Sequence, residues 1–158
     1  MIKLEEMSIL IVDDMKSMRL TIRKMLQNLG IGKTLRFAEN GRDAITTMEQ
    51  SHFDLAILDW NMPVMNGFEV LEKIRQDRAL RDLPVIMVTA EAERDIVSEA
   101  AESEIDGYLL KPLTLASLDT KIQSVVDKLN TPDQLTLHRQ AARECEEKKD
   151  YAGAIKEI

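Results

Sequence analysis

The sequence predicts an α/β domain: a doubly wound, five-stranded parallel sheet covered by helices on both faces, followed by a C-terminal helical appendage. Three observations predict it. Short, uninterrupted apolar runs rich in Val, Ile and Leu recur at 9–12, 55–58 and 85–88, the pattern of strands buried on both faces in helix-covered parallel sheets. Segments of helical periodicity separate these runs, as right-handed crossovers require. The runs end in chemistry, at Asp13-Asp14, Asp59, Thr89 and, after Tyr108-Leu109-Leu110, Lys111-Pro112. An open parallel sheet binds its ligands beyond the carboxyl ends of its strands.

In chain order, Ile9 to Val12 form the first strand. Met18, Ile22, Met25, Leu26 and Leu29 share one face of a helix that Gly30 ends, since glycine accepts the left-handed cap conformation. A shorter strand is expected at Thr34 to Ala38, and Asn40-Gly41 marks the turn into a helix over Arg42 to Gln50. After the third strand and Asp59, the loop Asn61 to Gly67 leads into a helix carrying Phe68, Leu71 and Ile74. The fourth strand precedes a helix from about Glu93 to Ser103, and the fifth strand precedes a long helix carrying Leu115, Leu118, Ile122, Val125, Val126 and Leu129. That helix is expected to stop near Asn130. Thr131-Pro132-Asp133-Gln134 then reads as a new start, with Thr131 as cap, Pro132 at the first helical position and Gln134 as capping-box partner. The division is therefore 1–130 for the main domain and 131–158 for a helical extension.

The chain has 158 residues, 44% hydrophobic, with a net charge of -7. Six of the seven excess negative charges fall in residues 1–130, and no basic block occurs. Nucleic-acid binding needs a cationic face to displace counterions from phosphates, so it is not expected. No apolar run approaches the roughly 18 residues needed to span a bilayer, and the first residues lack a signal-peptide core. A cytoplasmic protein is expected. The single cysteine, Cys145, cannot form an internal disulfide and reads as a small filler on a helix.

Asp13, Asp14 and Asp59, brought to one sheet edge, would repel one another unless a cation intervenes. A hard divalent ion with oxygen ligands answers this, and Mg²⁺, which keeps several waters, suits a site with few protein ligands. Beside such an ion a carboxylate can act as a phosphoryl acceptor. Asp59 is the candidate acceptor, Lys111 a second cation for phosphoryl oxygens, and Thr89 a hydroxyl donor. Singly, each has a plain structural role: helix cap for the Asp pair or Thr89, solvated surface charge for Lys111. Jointly they point to phosphoryl chemistry.

The chain resembles the response-regulator receiver domain of bacterial two-component signalling, of the single-domain chemotaxis type. The resemblance rests on Ile11-Val12-Asp13-Asp14, Leu58-Asp59-Trp60-Asn61-Met62-Pro63 with Met65 and Gly67, Val88-Thr89-Ala90-Glu91-Ala92, and Gly107-Tyr108 before Lys111-Pro112. It implies a flavodoxin-like strand order 2-1-3-4-5, which the spacing alone does not give. It also implies that Asp59 takes a phosphoryl group from a sensor histidine kinase, a phosphotransfer protein or a small donor such as acetyl phosphate. Asp13, Asp59 and the backbone carbonyl of Asn61 would ligate Mg²⁺, with Asp14 acting through metal-bound water. Lys111 would bind a phosphoryl oxygen, and its bond to Pro112 would be cis. Thr89 and Tyr108 would carry the switch, the Tyr108 ring turning as the Thr89 hydroxyl moves. Asn61 and Glu91 would tune hydrolysis of the aspartyl phosphate. A downstream protein would bind the fourth helix, fifth strand and fifth helix, or the extension. One departure is Glu104, where the family commonly has a helix-ending glycine; a non-glycine residue in a left-handed cap is penalised.

Within the extension, Ala142, Tyr151 and Ala154 fit the opening of a tetratricopeptide repeat, which at about 34 residues would be truncated here. Two other functions are set against the signalling switch. One is a phosphorylation-independent, receiver-like scaffold. The other is an aspartyl-nucleophile Mg²⁺ phosphatase of the haloacid-dehalogenase type, which normally has an acid two residues after the nucleophile, where this chain has Asn61. The switch is not expected to be a turnover enzyme.

Overall fold

The computed structural model describes residues 2–90 and 105–130. Five parallel strands, β1 (Ser8–Val12), β2 (Thr34–Ala38), β3 (Leu55–Asp59), β4 (Val85–Thr89) and β5 (Gly107–Leu110), form one sheet in the order β2-β1-β3-β4-β5. The described helices are α1 (Lys16–Leu29), α2 (Gly41–Gln50), α3 (Gly67–Gln76) and α4 (Leu115–Asn130). Here α4 is the fifth helix of the sequence reading. The helix expected at about 93–103, Glu91, Glu104 and the whole extension 131–158, with Ala142, Cys145, Tyr151 and Ala154, lie outside the described residues. None of the described helices is long and apolar enough to cross a membrane.

Alternation along the strands sorts the core into two layers. Leu10, Val12, Ala56, Leu58 and Met87 pack with Ala44, Met48, Val70, Leu71 and Ile74 of α2 and α3. Ile9, Ile11, Ile57, Ile86 and Val88 pack with Ile22, Leu26, Leu118, Ile122 and Val125 of α1 and α4. Burying one such aliphatic side chain contributes roughly 1.5–3 kcal/mol. The centre of the sheet is therefore its most firmly held part, and it carries the strand ends of interest.

β1, β3 and β4 are buried throughout, apart from half-buried Ser8 at the start of β1. The tyrosine-led run at 108–110 is different: β5 has only Leu109 buried. Strand order explains this, because β2 and β5 are the sheet edges. Local chemistry sets the helix ends. Gly30 caps α1 at φ 71°, the Asn40 side chain accepts from the Asp43 N–H at the start of α2, and Asn66 and Glu69 form a full capping box on α3. Thr114 Oγ1 accepts from the Ser117 N–H at the start of α4.

Candidate functional site

Asp59 and Thr89 are the last residues of β3 and β4, and Asp13 and Lys111 are the first residues after β1 and β5. Because the strands are parallel and in register, four separate parts of the sequence arrive at one edge. Carboxylate oxygens of Asp13, Asp14 and Asp59 all lie within 4.8 Å of one another. Asp13 and Asp59 are buried, at 1% and 3% exposure, whereas Asp14 is exposed. The cluster is thus rooted in the core and open to solvent on one side.

Its charges are only partly compensated. Lys111 Nζ stands 3.1 Å from Asp59 Oδ1. The two charges attract, and the contact lowers the cost of ionising this buried carboxylate. Burial pushes the Asp59 carboxyl above its ordinary range, opposed by Lys111 and by a hydrogen bond from the Asn61 backbone N–H. Burial likewise pushes Asp13 up to about 6, helped by the nearby charges of Asp59 and Asp14 and opposed by the Met15 N–H and Lys111. That N–H donates to Asp13 Oδ1 at 2.8 Å.

These shifts give a pH prediction for the metal-free protein. The folded Asp13 carboxyl keeps its proton up to about pH 6, whereas the ordinary value is 3.8, so between these limits the folded state binds more protons than the unfolded state. Stability from this group is greatest below the lower limit, declines as pH rises through the window, and is lost above about 6. Asp13→Asn removes the penalty and keeps an acceptor for the Met15 N–H. It is expected to stabilise the metal-free chain at pH 7 by about 3 kcal/mol and at pH 5 by roughly half as much. Urea titrations at both values check this; equal effects at the two pH values would contradict it.

The remaining residues take defined positions. Thr89 is buried, and its hydroxyl donates to the Ala90 carbonyl at 3.2 Å. Tyr108 is half-buried against the α2/α3 layer, with Lys121 Nζ 5.9 Å from its ring centroid. Asn61 is exposed, and Trp60 tilts at 46° to Phe68 with ring centroids 6.0 Å apart. The Lys111–Pro112 peptide is cis. Two contributors escaped the sequence reading. Arg19 reaches back from α1 to donate to the Asp13 carbonyl at 2.6 Å, and nothing in local periodicity signals that return. Val64, in the loop after β3, has φ 71° and is 73% exposed.

A β-branched residue in the left-handed region is strained, and exposure offers it no packing in return. Val64→Asn is expected to stabilise the protein by about 1 kcal/mol, read as an upward shift in the urea midpoint at unchanged slope. A lower midpoint would show that Val64 makes a contact worth more than its strain.

The profile of the response regulator receiver domain matches residues 9–123. The chain belongs to this receiver family. It is similar to the chemotaxis protein CheY of Pseudomonas aeruginosa, 43% identical over 124 residues that cover 78% of this chain and 99% of that protein. It is 41% identical to CheY-3 of Vibrio cholerae over 125 residues, 79% of this chain and 95% of that protein. Among solved structures, chemotaxis response regulator CheY4 of Vibrio cholerae matches with TM-score 0.69 at 32% identity, covering 76% of this chain and 98% of that one. The response regulator TrrA of Thermotoga maritima, in complex with Mg²⁺-BeF, matches with TM-score 0.64 at 31% identity, covering 75% and 98%. The receiver is accordingly a phosphorylation-activated response regulator of two-component signalling. Receivers of this kind take phosphoryl groups from histidine kinases and signal to downstream partners, as switches rather than turnover enzymes.

Proposed function

We propose that Asp59 is the phosphoacceptor of this receiver. The observation that carries the reading is a buried carboxylate at a strand end, with an ammonium 3.1 Å from one oxygen and two further carboxylates within 4.8 Å. An Asp59 carboxylate oxygen attacks phosphorus, the phosphorus–nitrogen bond of a donor phosphohistidine breaks, and the imidazole leaves. Acetyl phosphate serves equally, with acetate leaving. Lys111 and the Thr89 hydroxyl hold the phosphoryl oxygens, and for this the hydroxyl gives up its bond to the Ala90 carbonyl.

The crowded hard oxygens fit a divalent cation, because three carboxylates within 4.8 Å, two of them buried, carry more negative charge than the Lys111 ammonium offsets. Asp13, Asp59 and the Asn61 carbonyl would hold Mg²⁺, with Asp14 contributing through water. When bound, the ion offsets the charge of the acids and of the phosphoryl oxygens. Thr89 and Tyr108 form the switch, and Asn61 and Glu91 set the rate of hydrolysis. The donor is a sensor histidine kinase or phosphotransfer protein. The output surface comprises β5, α4 and the segment between β4 and β5, or the extension 131–158, which we read as the start of a tetratricopeptide-type repeat. A cytoplasmic location accords with the single cysteine.

Two readouts on one sample test this reading. Trp60 emission is expected to change on Mg²⁺ titration and again on adding beryllofluoride, and intact mass is expected to show one phosphoryl adduct with acetyl phosphate. A folded protein silent in both readouts would overturn the proposal.

A further inference from the structure

Asp13 is held from several sides. Its N–H donates to the Ala38 carbonyl at the end of β2 at 3.2 Å, and its Oδ1 accepts from the Met15 N–H at 2.8 Å. Its carbonyl lies beyond Val12, the last residue of β1 to pair with β2 and β3, and no backbone N–H among the described residues donates to it. Helix α1 supplies the partner instead: Arg19 Nη1 donates to this carbonyl at 2.6 Å.

The helix places Arg19 for this return. Its own N–H donates to the Met15 carbonyl at 3.1 Å, which sets it in the first turn of α1, and side chains on a helix lean toward the helix N-terminus. The consequence for the acids follows from the planarity of the peptide unit. Holding the oxygen of the Asp13–Asp14 unit fixes ψ of Asp13 and φ of Asp14 together, so one hydrogen bond sets the directions of two carboxylates relative to each other. Those carboxylates meet Asp59 within 4.8 Å.

We propose that Arg19 is a positioning residue of the cation site: its bond to the Asp13 carbonyl aims the Asp13 and Asp14 carboxylates at the point where they meet Asp59. The proposal rests on the reading of these acids as holders of Mg²⁺. A guanidinium has no acceptor with which to ligate a metal, and its positive charge by itself opposes a cation nearby. Positioning and charge therefore predict opposite signs when Arg19 is replaced.

Mg²⁺ titration of the full chain, followed by Trp60 emission and by the rise in urea midpoint that a ligand of the folded state gives, provides the test. Arg19→Met keeps the apolar stem and removes the guanidinium. It is expected to weaken Mg²⁺ binding about tenfold or more, as does loss of other groups that orient a metal ligand. Arg19→Lys keeps the charge and a donor on a shorter reach, and is expected to fall between this variant and the native chain. Lys16→Ala, which removes an exposed charge from the same turn, is expected to bind no more weakly than the native chain. Native affinity in either Arg19 variant, even with a lowered metal-free midpoint, would make the role merely structural and overturn the proposal. Tighter binding by Arg19→Met, or equal weakening by Lys16→Ala, would overturn it as well. A native chain that gives neither Mg²⁺ response would overturn the reading of the cation site itself, and this proposal with it.

Discussion

Asp59→Asn is expected to abolish phosphoryl uptake and leave the fold intact. With Mg²⁺ and saturating acetyl phosphate, the native chain gains one covalent adduct in intact-mass spectra and the variant none, because a neutral amide oxygen is not the nucleophile a carboxylate is. Stability separates this from unfolding. Burial already opposes ionisation of Asp59, so removing the charge relieves a cost, and half-buried Lys111 regains solvation. The thermal midpoint of the metal-free variant is expected to equal or exceed that of the native chain. Stabilisation by Mg²⁺ is expected to shrink at the same time, because a ligand that binds only the folded state stabilises it in proportion to its affinity. Equal labelling of variant and native chain would move the acceptor to another residue and sink the assignment.

Gly67→Ala is expected to be the most disruptive single-methyl change near the site. A Cβ there would sit 2.7 Å from the Asp59 carbonyl oxygen, 2.8 Å from Met87 Sδ and 2.9 Å from the Trp60 Cα. Two of these three atoms are backbone, and the Gly67 N–H also donates to the Trp60 carbonyl at 2.9 Å. Relief therefore requires shifting the end of β3 or the start of α3, at about 3 kcal/mol or more. Gly30→Ala is the control. Gly30 has φ 71° but nothing within 4 Å of its added Cβ, so only conformational strain of about 1 kcal/mol is expected. Urea unfolding distinguishes the two, and acetyl phosphate labelling is expected to slow in the Gly67 variant alone, since Asp59 moves with its carbonyl. Equal destabilisation by the two substitutions would refute the packing account.

The strands buried on both faces were legible because burial writes itself as continuous apolar sequence; β1, β3 and β4 differ from the predicted runs by a residue at most. Their termini were legible for the same reason, and with them Asp13, Asp59 and Thr89. The order of the strands was not, because crossover direction leaves no local trace; it came from family resemblance and agrees with the sheet found here. Geometry beyond the strand ends was also hidden. The Thr89 hydroxyl bonds to Ala90, Arg19 folds back on Asp13, and Val64 turns left-handed, local geometries that residue type and periodicity do not specify. The capping box at Asn66 and Glu69 was visible as a spacing and went unread. A cavity beneath β3 and β4 draws its wall from Ile2, Phe53, Leu83 and Leu129, which no single stretch of sequence brings together.

Three of the reactive groups are mounted on the innermost strands, whose side chains interlock with helices above and below. Positional accuracy at the phosphoacceptor edge is thus inherited from the sheet's buried centre, with Arg19 of α1 bracing the Asp13 carbonyl. Evolution can rewrite the outer surfaces of the helices to recruit new clients without recalibrating the chemistry.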